Sequence, residues 1–234
     1  MGKQSYFIWN GKDSRSMGVW LAAPVPIVRP EERVKHIDIP GRSGDLTLLE
    51  GYNIFNSYIQ TASIIVKNSM RIRDVYDWMR GDGYVTFSGE PDRKQYARVI
   101  GAVTLEKHSR NLDWWTGEVQ FYCQPLKQLL NEEPVTITSS GSNIINRGSV
   151  DARPRITATF SGGGYITIQG RTIAPSSIAG GTMVFDCDAC IITNTAGTTE
   201  YESTGTFPVL APGSNTVTGS GWTSLVFERR ERFL

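Results

Sequence analysis

Cysteine, histidine, net charge and helical periodicity are all in short supply in this chain, and each shortage excludes something. Three cysteines, Cys123, Cys187 and Cys190, occur in 234 residues, an odd number that builds no complete disulfide framework and suits synthesis in a reducing cytoplasm. A formal charge of +1 gives no net field to draw the surface to nucleic acid or an anionic membrane. No apolar stretch approaches the length of a membrane span. Residues 1–6 contain no hydrophobic signal segment, and Tyr6 stands where a myristoylation signal needs Ser or Thr. The expectation is a product made soluble in a cytoplasm, with no cleaved signal, no membrane anchor and no nucleic-acid partner.

What the chain does contain changes character near residue 130. Every lysine, both histidines and five of the six tryptophans precede that point; Gly, Ser and Thr interleaved with Ile and Val follow it. Two domains are expected, 1–130 and 131–234, with the break in 129–134, where Asn131, Glu132, Glu133 and Pro134 interrupt the apolar pattern. In the first, residues 6–9 read as a strand entering a type I′ turn at Asn10-Gly11, with a return strand over 17–21. Residues 58–67 carry apolar side chains on both faces and read as an interior strand. Ser69 offers an N-cap, and Ile72, Val75, Tyr76 and Met79 recur at spacings of three and four before Gly81, which predicts the only helix. Residues 83–88 then form a strand, 90–93 a turn, and 115–124 a half-buried strand ending at Pro125.

Short extended runs at 135–138, 155–160, 165–168, 183–185, 191–193, 216–218 and 224–227 fill the second part. Gly162-Gly163-Gly164, Gly180-Gly181, Ala211-Pro212-Gly213 and Gly219-Ser220-Gly221 separate them. That spacing predicts antiparallel strands joined by glycine turns, a sandwich or jelly roll without helices or internal repeats. The fold class is therefore mainly β.

Few residues offer chemistry. His108, Ser109 and Asp113 are the types found in a hydrolytic triad, but no nucleophile-elbow sequence surrounds any serine, and an end-of-hairpin role fits better. Cys187 and Cys190 form a CxxC, yet a zinc site needs about four ligands and the second part has no histidine; a structural turn is preferred, with thiols close enough across it to oxidise. Gly162-Gly163-Gly164 lacks the Lys-Ser/Thr and the helix of a phosphate cradle and reads as a hairpin turn. Glu200 and Glu202 share a strand face, without the aromatic cluster of a sugar cleft. Arg229, Arg230 and Arg232, interleaved with Glu228 and Glu231, read as a solvated or interface segment. No catalytic group, cofactor or metal ligand is assigned. Residues 39–52 remain, where Pro40 cannot donate to a ladder and Gly41 and Gly44 permit positive φ, so the chain turns sharply before 46–49 resume extended pairing. Gly41-Arg42-Ser43-Gly44 could also shape a small anion nest, but the turn is preferred.

Taken in order, Trp9-Asn10-Gly11-Lys12, the run from Val34 through Ile39-Pro40-Gly41-Arg42-Ser43-Gly44-Asp45-Leu46, Gly51-Tyr52, Trp78-Met79-Arg80-Gly81-Asp82-Gly83, Phe87-Ser88-Gly89-Glu90-Pro91-Asp92-Arg93, Tyr96 and Phe121-Tyr122-Cys123-Gln124-Pro125 form a series. With Phe207-Pro208-Val209-Leu210-Ala211-Pro212-Gly213 behind it, the series resembles the distal tail protein (Dit) family of long-tailed bacteriophages. That resemblance implies an N-terminal β-sandwich or split-barrel domain with one α-helix and a C-terminal galectin-like β-sandwich. It also implies a structural, non-enzymatic hub, made in the bacterial host cytoplasm and carried at the distal end of the virion tail. The expected assembly is a homo-hexameric ring joining the major tail tube protein to the tail tip or tail-associated protein, with tape measure and receptor-binding proteins as further partners. Pro40, Gly41, Arg42 and Gly44 then become an assembly loop, and Trp20, Trp114, Trp115 and Tyr122 candidate interface anchors. The competing reading is a carbohydrate-binding module, for which an exposed Trp222 would be the platform.

Overall fold

The computed structural model describes residues 5–108, 110, 112–176 and 180–234. The chain forms two compact units, Met1–Leu130 with Leu234, and Asn131–Phe233. The first contains β1 (Phe7–Trp9), β2 (Lys12–Asp13), β3 (Val19–Leu21), β4 (Val34–Ile37), β5 (Leu46–Leu49), β6 (Tyr58–Lys67), α1 (Ile72–Trp78), β7 (Asp82–Phe87), β8 (Arg93–Lys107) and β9 (Trp114–Leu129). Apart from β4 and β5, these strands make an antiparallel sheet in the order β2-β1-β7-β8-β9-β6-β3. The pleat sends alternate side chains to one side, so Ala62, Ile64 and Val66 of β6 and Val119, Phe121 and Cys123 of β9 are buried together. Each such apolar burial contributes roughly 1.5–3 kcal/mol for the larger side chains. Val75 of α1 and Met79 at its C-cap enter the same cluster, and Trp78 stacks on Phe7 with ring centroids 5.5 Å apart.

Local chemistry moves several expected boundaries. Asn10 (φ 49°) and Gly11 (φ 76°) do make the tight turn, but the return strand is β2, paired Trp9 to Lys12 and Ile8 to Asp13. Asp13 ends it by accepting from the Arg15 N–H at 2.8 Å, which starts a 3-10 turn over Ser14–Met17. The segment expected to return, now β3, pairs instead with β6. Ser69 is not the helix cap either: Asn68 accepts from the Met70 N–H at 2.9 Å, and the Ser69 hydroxyl and N–H both go to Asp113. Tyr76, assigned by spacing to the buried face of α1, is exposed.

Pro125 does not end β9. Pairing jumps from Ala97–Cys123 to Gln95–Lys127, so residues 124–126 bulge opposite Tyr96 and the missing proline donor falls where the ladder is already broken. Gln95 fills the gap, its amide donating to the Gln124 carbonyl and accepting from the Tyr58 hydroxyl. Burial pushes the Tyr58 phenol up to about 12, and the nearly buried Lys127 ammonium pairs with Glu90.

The second unit comprises β10 (Val135–Ile137), β11 (Ser142–Asn146), β12 (Arg155–Ile168), β13 (Arg171–Pro175), β14 (Gly181–Asp186), β15 (Ile191–Asn194), β16 (Glu200–Tyr201), β17 (Ser203–Gly205), β18 (Gly213–Glu228) and β19 (Arg232–Phe233). Its architecture depends on two long strands, β12 and β18, which pair with each other in two stretches on either side of a register shift and change their other partners halfway. The first half of β12 pairs with β14 and its second half with β13, while β18 pairs first with β11 and then with β10. Side chains from both halves, such as Ile156 and Phe185 from one and Ile144, Ile166 and Ile173 from the other, share one buried cluster. One sheet thus bends onto itself as a sandwich, with the corner made by strands that pass from layer to layer.

That corner corrects the expected topology. Gly162-Gly163-Gly164 and Gly219-Ser220-Gly221 are not hairpin turns between short strands; they lie inside β12 and β18 and face each other where the register shifts between Phe160 and Tyr165. The C-terminal arginines also depart from expectation. Arg229 is buried with its Nη1 3.2 Å from Glu231, whose side chain is fully enclosed, and its Nε 3.3 Å from Glu132. The Nε contact has ion-pair distance but misses hydrogen-bond direction, so Arg229 Nε and Glu132 Oε1 lack hydrogen bonds. Arg230 grips Asp186 through two bonds of 2.8 and 2.9 Å. Arg229 and Glu231 thus lie buried as a charged pair, while Arg230 and Arg232 stay partly exposed.

Candidate assembly interface

β4 and β5 form a two-stranded antiparallel sheet of their own, in the register Val34–Leu49, Lys35–Leu48, His36–Thr47 and Ile37–Leu46. The loop at its tip contains all four residues singled out for assembly. The Arg42 N–H donates to the Ile39 carbonyl at 3.1 Å across Pro40 and Gly41, with Gly41 at φ 82°. Proline second and a positive φ third define a type II turn. Gly44, at φ 80°, makes the second reversal. A Cβ at either glycine would meet nothing within 4 Å, so it is backbone torsion alone that selects glycine there. Arg42 is exposed at the tip.

What spacing did not reveal is how bare this ribbon is. Every residue from Pro40 to Tyr52 is exposed, including Leu46 (38%), Leu48 (44%), Leu49 (63%) and Tyr52 (87%). Its two faces carry Val34 with Leu49, and Ile37 with Leu46 and Leu48, because cross-strand partners share a face. The root is anchored: Phe55 is buried, Glu32 bridges it, and Asn56 N donates to the Glu31 carbonyl at 2.8 Å. An apolar projection on a buried root makes the ribbon a candidate contact element. The sequence signal for it was the Leu-Thr-Leu-Leu run itself, apolar and extended with no second apolar strand to pair it to the core.

The other candidates take structural positions. His108 N donates to the Trp114 carbonyl at 2.9 Å beside the β8–β9 connection, and Ser109 lies outside the described residues. Asp113 is engaged elsewhere; the Ser69 N–H, with help from Trp115 and the Ser69 hydroxyl, holds its carboxyl below the usual range. In the CxxC, Cys187 is buried and its thiol pushed up to about 12, whereas Cys190 is exposed at φ 58°. Asp186 Oδ1 accepts from the N–H groups of Asp188 and Ala189 and makes this the turn between β14 and β15. Glu200 and Glu202 are both exposed. Trp222 is partly buried against the second unit's core, so it does not stand out as a sugar platform. Among the described residues no group of three or more His, Cys, Asp or Glu is arranged to hold a metal ion. Of the proposed aromatic anchors, Trp114 and Tyr122 are exposed, while Trp20 and Trp115 are partly buried; Lys67 lies over the rings of Trp20 and Trp114 at 4.8 and 4.9 Å.

No family model matches the sequence, and no curated protein matches it. Among solved structures the chain is similar to the Dit protein of phage SPP1, described as a paradigm of the hub adsorption apparatus in phages infecting Gram-positive bacteria. The likeness has a TM-score of 0.78 at 18% identity and covers 99% of this chain and 100% of that one. The two proteins share a fold from end to end.

Proposed function

We propose that this chain is a structural hub of a phage tail, a Dit-like protein that closes into a ring of six copies between the tail tube and the tip. The observation that carries the reading is the end-to-end likeness to a hub protein, in which neither chain has a large part without a counterpart. The bare β4–β5 ribbon supports the ring, because closure by rotation requires one patch to meet a different patch on the next copy. Pro40, Gly41, Arg42 and Gly44 shape its tip, and Leu46, Leu48 and Leu49 supply the apolar contact. Tube protein on one side of the ring and tip or receptor-binding components on the other are the partners this role requires. No catalysis is part of it, the virion tail is its location, and residues 1–130 and 131–234 act as separate domains, the second galectin-like.

Native mass spectrometry with negative-stain imaging of the purified full chain, alone and with the neighbouring tube and tip proteins, tests the proposal. Closed rings of one stoichiometry are expected; monomers under every condition would remove the ring.

A further inference from the structure

Among the described residues β4 and β5 are the only strands outside the two large sheets. An isolated two-stranded hairpin is marginally stable at best in water. The Glu50 N–H donates to the Arg33 carbonyl, so by the period of two the backbone groups of Val34, His36, Thr47 and Leu49 point outward along the two free edges. Side chains add little: His36 meets Thr47 at 3.2 Å and Arg33 approaches Glu50 only to 4.0 Å, all in solvent. Beyond its anchored root, only the ribbon's own short ladder and tip turn hold it closed, with no buried side chain among residues 34–49.

We propose that residues 34–49 are a fold-on-assembly element, opening and closing freely in the lone monomer and becoming ordered only when another copy of the chain covers them. This rests on the ring reading above and adds its regulation. An opened ribbon presents no fixed edge, which spares the monomer the aggregation hazard of a long unpaired strand. Ordering is compensated only by coverage. An open string of copies leaves one ribbon uncovered and a closed ring leaves none, so the device favours closure over growth.

Hydrogen exchange read by mass spectrometry on the full chain, as monomer and as isolated rings, tests this. In the monomer, amides of 34–37 and 46–49 are expected to exchange within about tenfold of an unfolded chain while β9 and β18 stay protected, and in rings to slow by about 100-fold or more. Monomer protection equal to that of β9 overturns the proposal, as do rings whose ribbons stay unprotected. If no ring forms, the ring reading fails by itself, and the monomer exchange still decides whether the ribbon is preformed. A second test closes the ribbon in advance with His36→Cys and Thr47→Cys, a facing pair, in a Cys190→Ser background that removes the exposed native thiol. The oxidised form is expected to assemble at about tenfold lower concentration than the reduced form, since preorganisation removes the ordering cost. An unchanged onset in the oxidised form would overturn it.

Discussion

Two glycine-rich segments look alike in the sequence and differ completely in their surroundings. At the ribbon tip, a Cβ on Gly41 or Gly44 would meet nothing within 4 Å. At the sandwich corner, a Cβ on Gly164 would sit 2.1 Å from the Ser220 carbonyl oxygen, and one on Gly221 2.1 Å from that of Gly163. The first pair is glycine because of torsion alone; Gly164 is glycine because two backbones touch, and Gly221, at φ 77°, for both reasons. The same residue therefore serves an open, exposed tip in one unit and a closed packing corner in the other, and the cost of replacing it should separate the two.

The largest effect is expected at the corner. Gly164→Ala and Gly221→Ala should each cost about 3–5 kcal/mol of second-unit stability in urea unfolding, since backbone must move to admit a methyl. A loss below about 1 kcal/mol would mean the strands separate easily there and the contrast with the tip is false. Next comes charge. Arg229→Met leaves the enclosed Glu231 carboxylate and the half-buried Glu132 without their cation and should cost about 3 kcal/mol, partly recovered by adding Glu231→Gln; Arg42→Met at the exposed tip should change stability by less than about 0.5 kcal/mol. Equal losses at both arginines would erase the distinction between buried clasp and bare ribbon.

Gly41→Val and Gly44→Val come third, with strain of about 1–2 kcal/mol confined to the ribbon. Global unfolding should scarcely move while ring yield falls; normal rings from both variants would show that the special backbone of the tip is unnecessary. The smallest effect is pH dependence. Hydrogen bonding to Arg230 holds Asp186 below the ordinary aspartate range, so its stabilisation is present above the unfolded value near ~4 and fades as pH falls through the lowered folded value. Asp186→Asn should flatten that acid limb of the second unit's unfolding curve, and an unchanged limb would exclude the pair from the effect.

Much of the fold was legible because it follows from local rules. The mainly-β class, the single helix near Ile72 and the turns at Asn10-Gly11 and Pro40-Gly41 came from propensity and from glycine or proline torsion. The errors came where a long-range partner overruled a local signal. Pro125 reads as a strand end until the bulge opposite Tyr96 removes the need for its missing donor. Gly162-Gly163-Gly164 reads as a turn until β18 lies against it. Arg229 reads as part of a solvated or interface segment until Glu132, nearly a hundred positions away, is brought beside it. In the candidate interface, Pro40, Gly41, Arg42 and Gly44 were visible as a shaped loop, whereas Leu46, Leu48 and Leu49 were not visible as surface, because exposure belongs to the packed molecule.

The sequence by itself therefore determined the alternation that makes strands and the torsions that make turns. Tertiary structure decided which apolar strand is left without a cover and which glycines bear the contact of two backbones. The physical reason is that torsional preference is a property of one or two residues, while burial and close approach are properties of pairs that only the folded chain brings together.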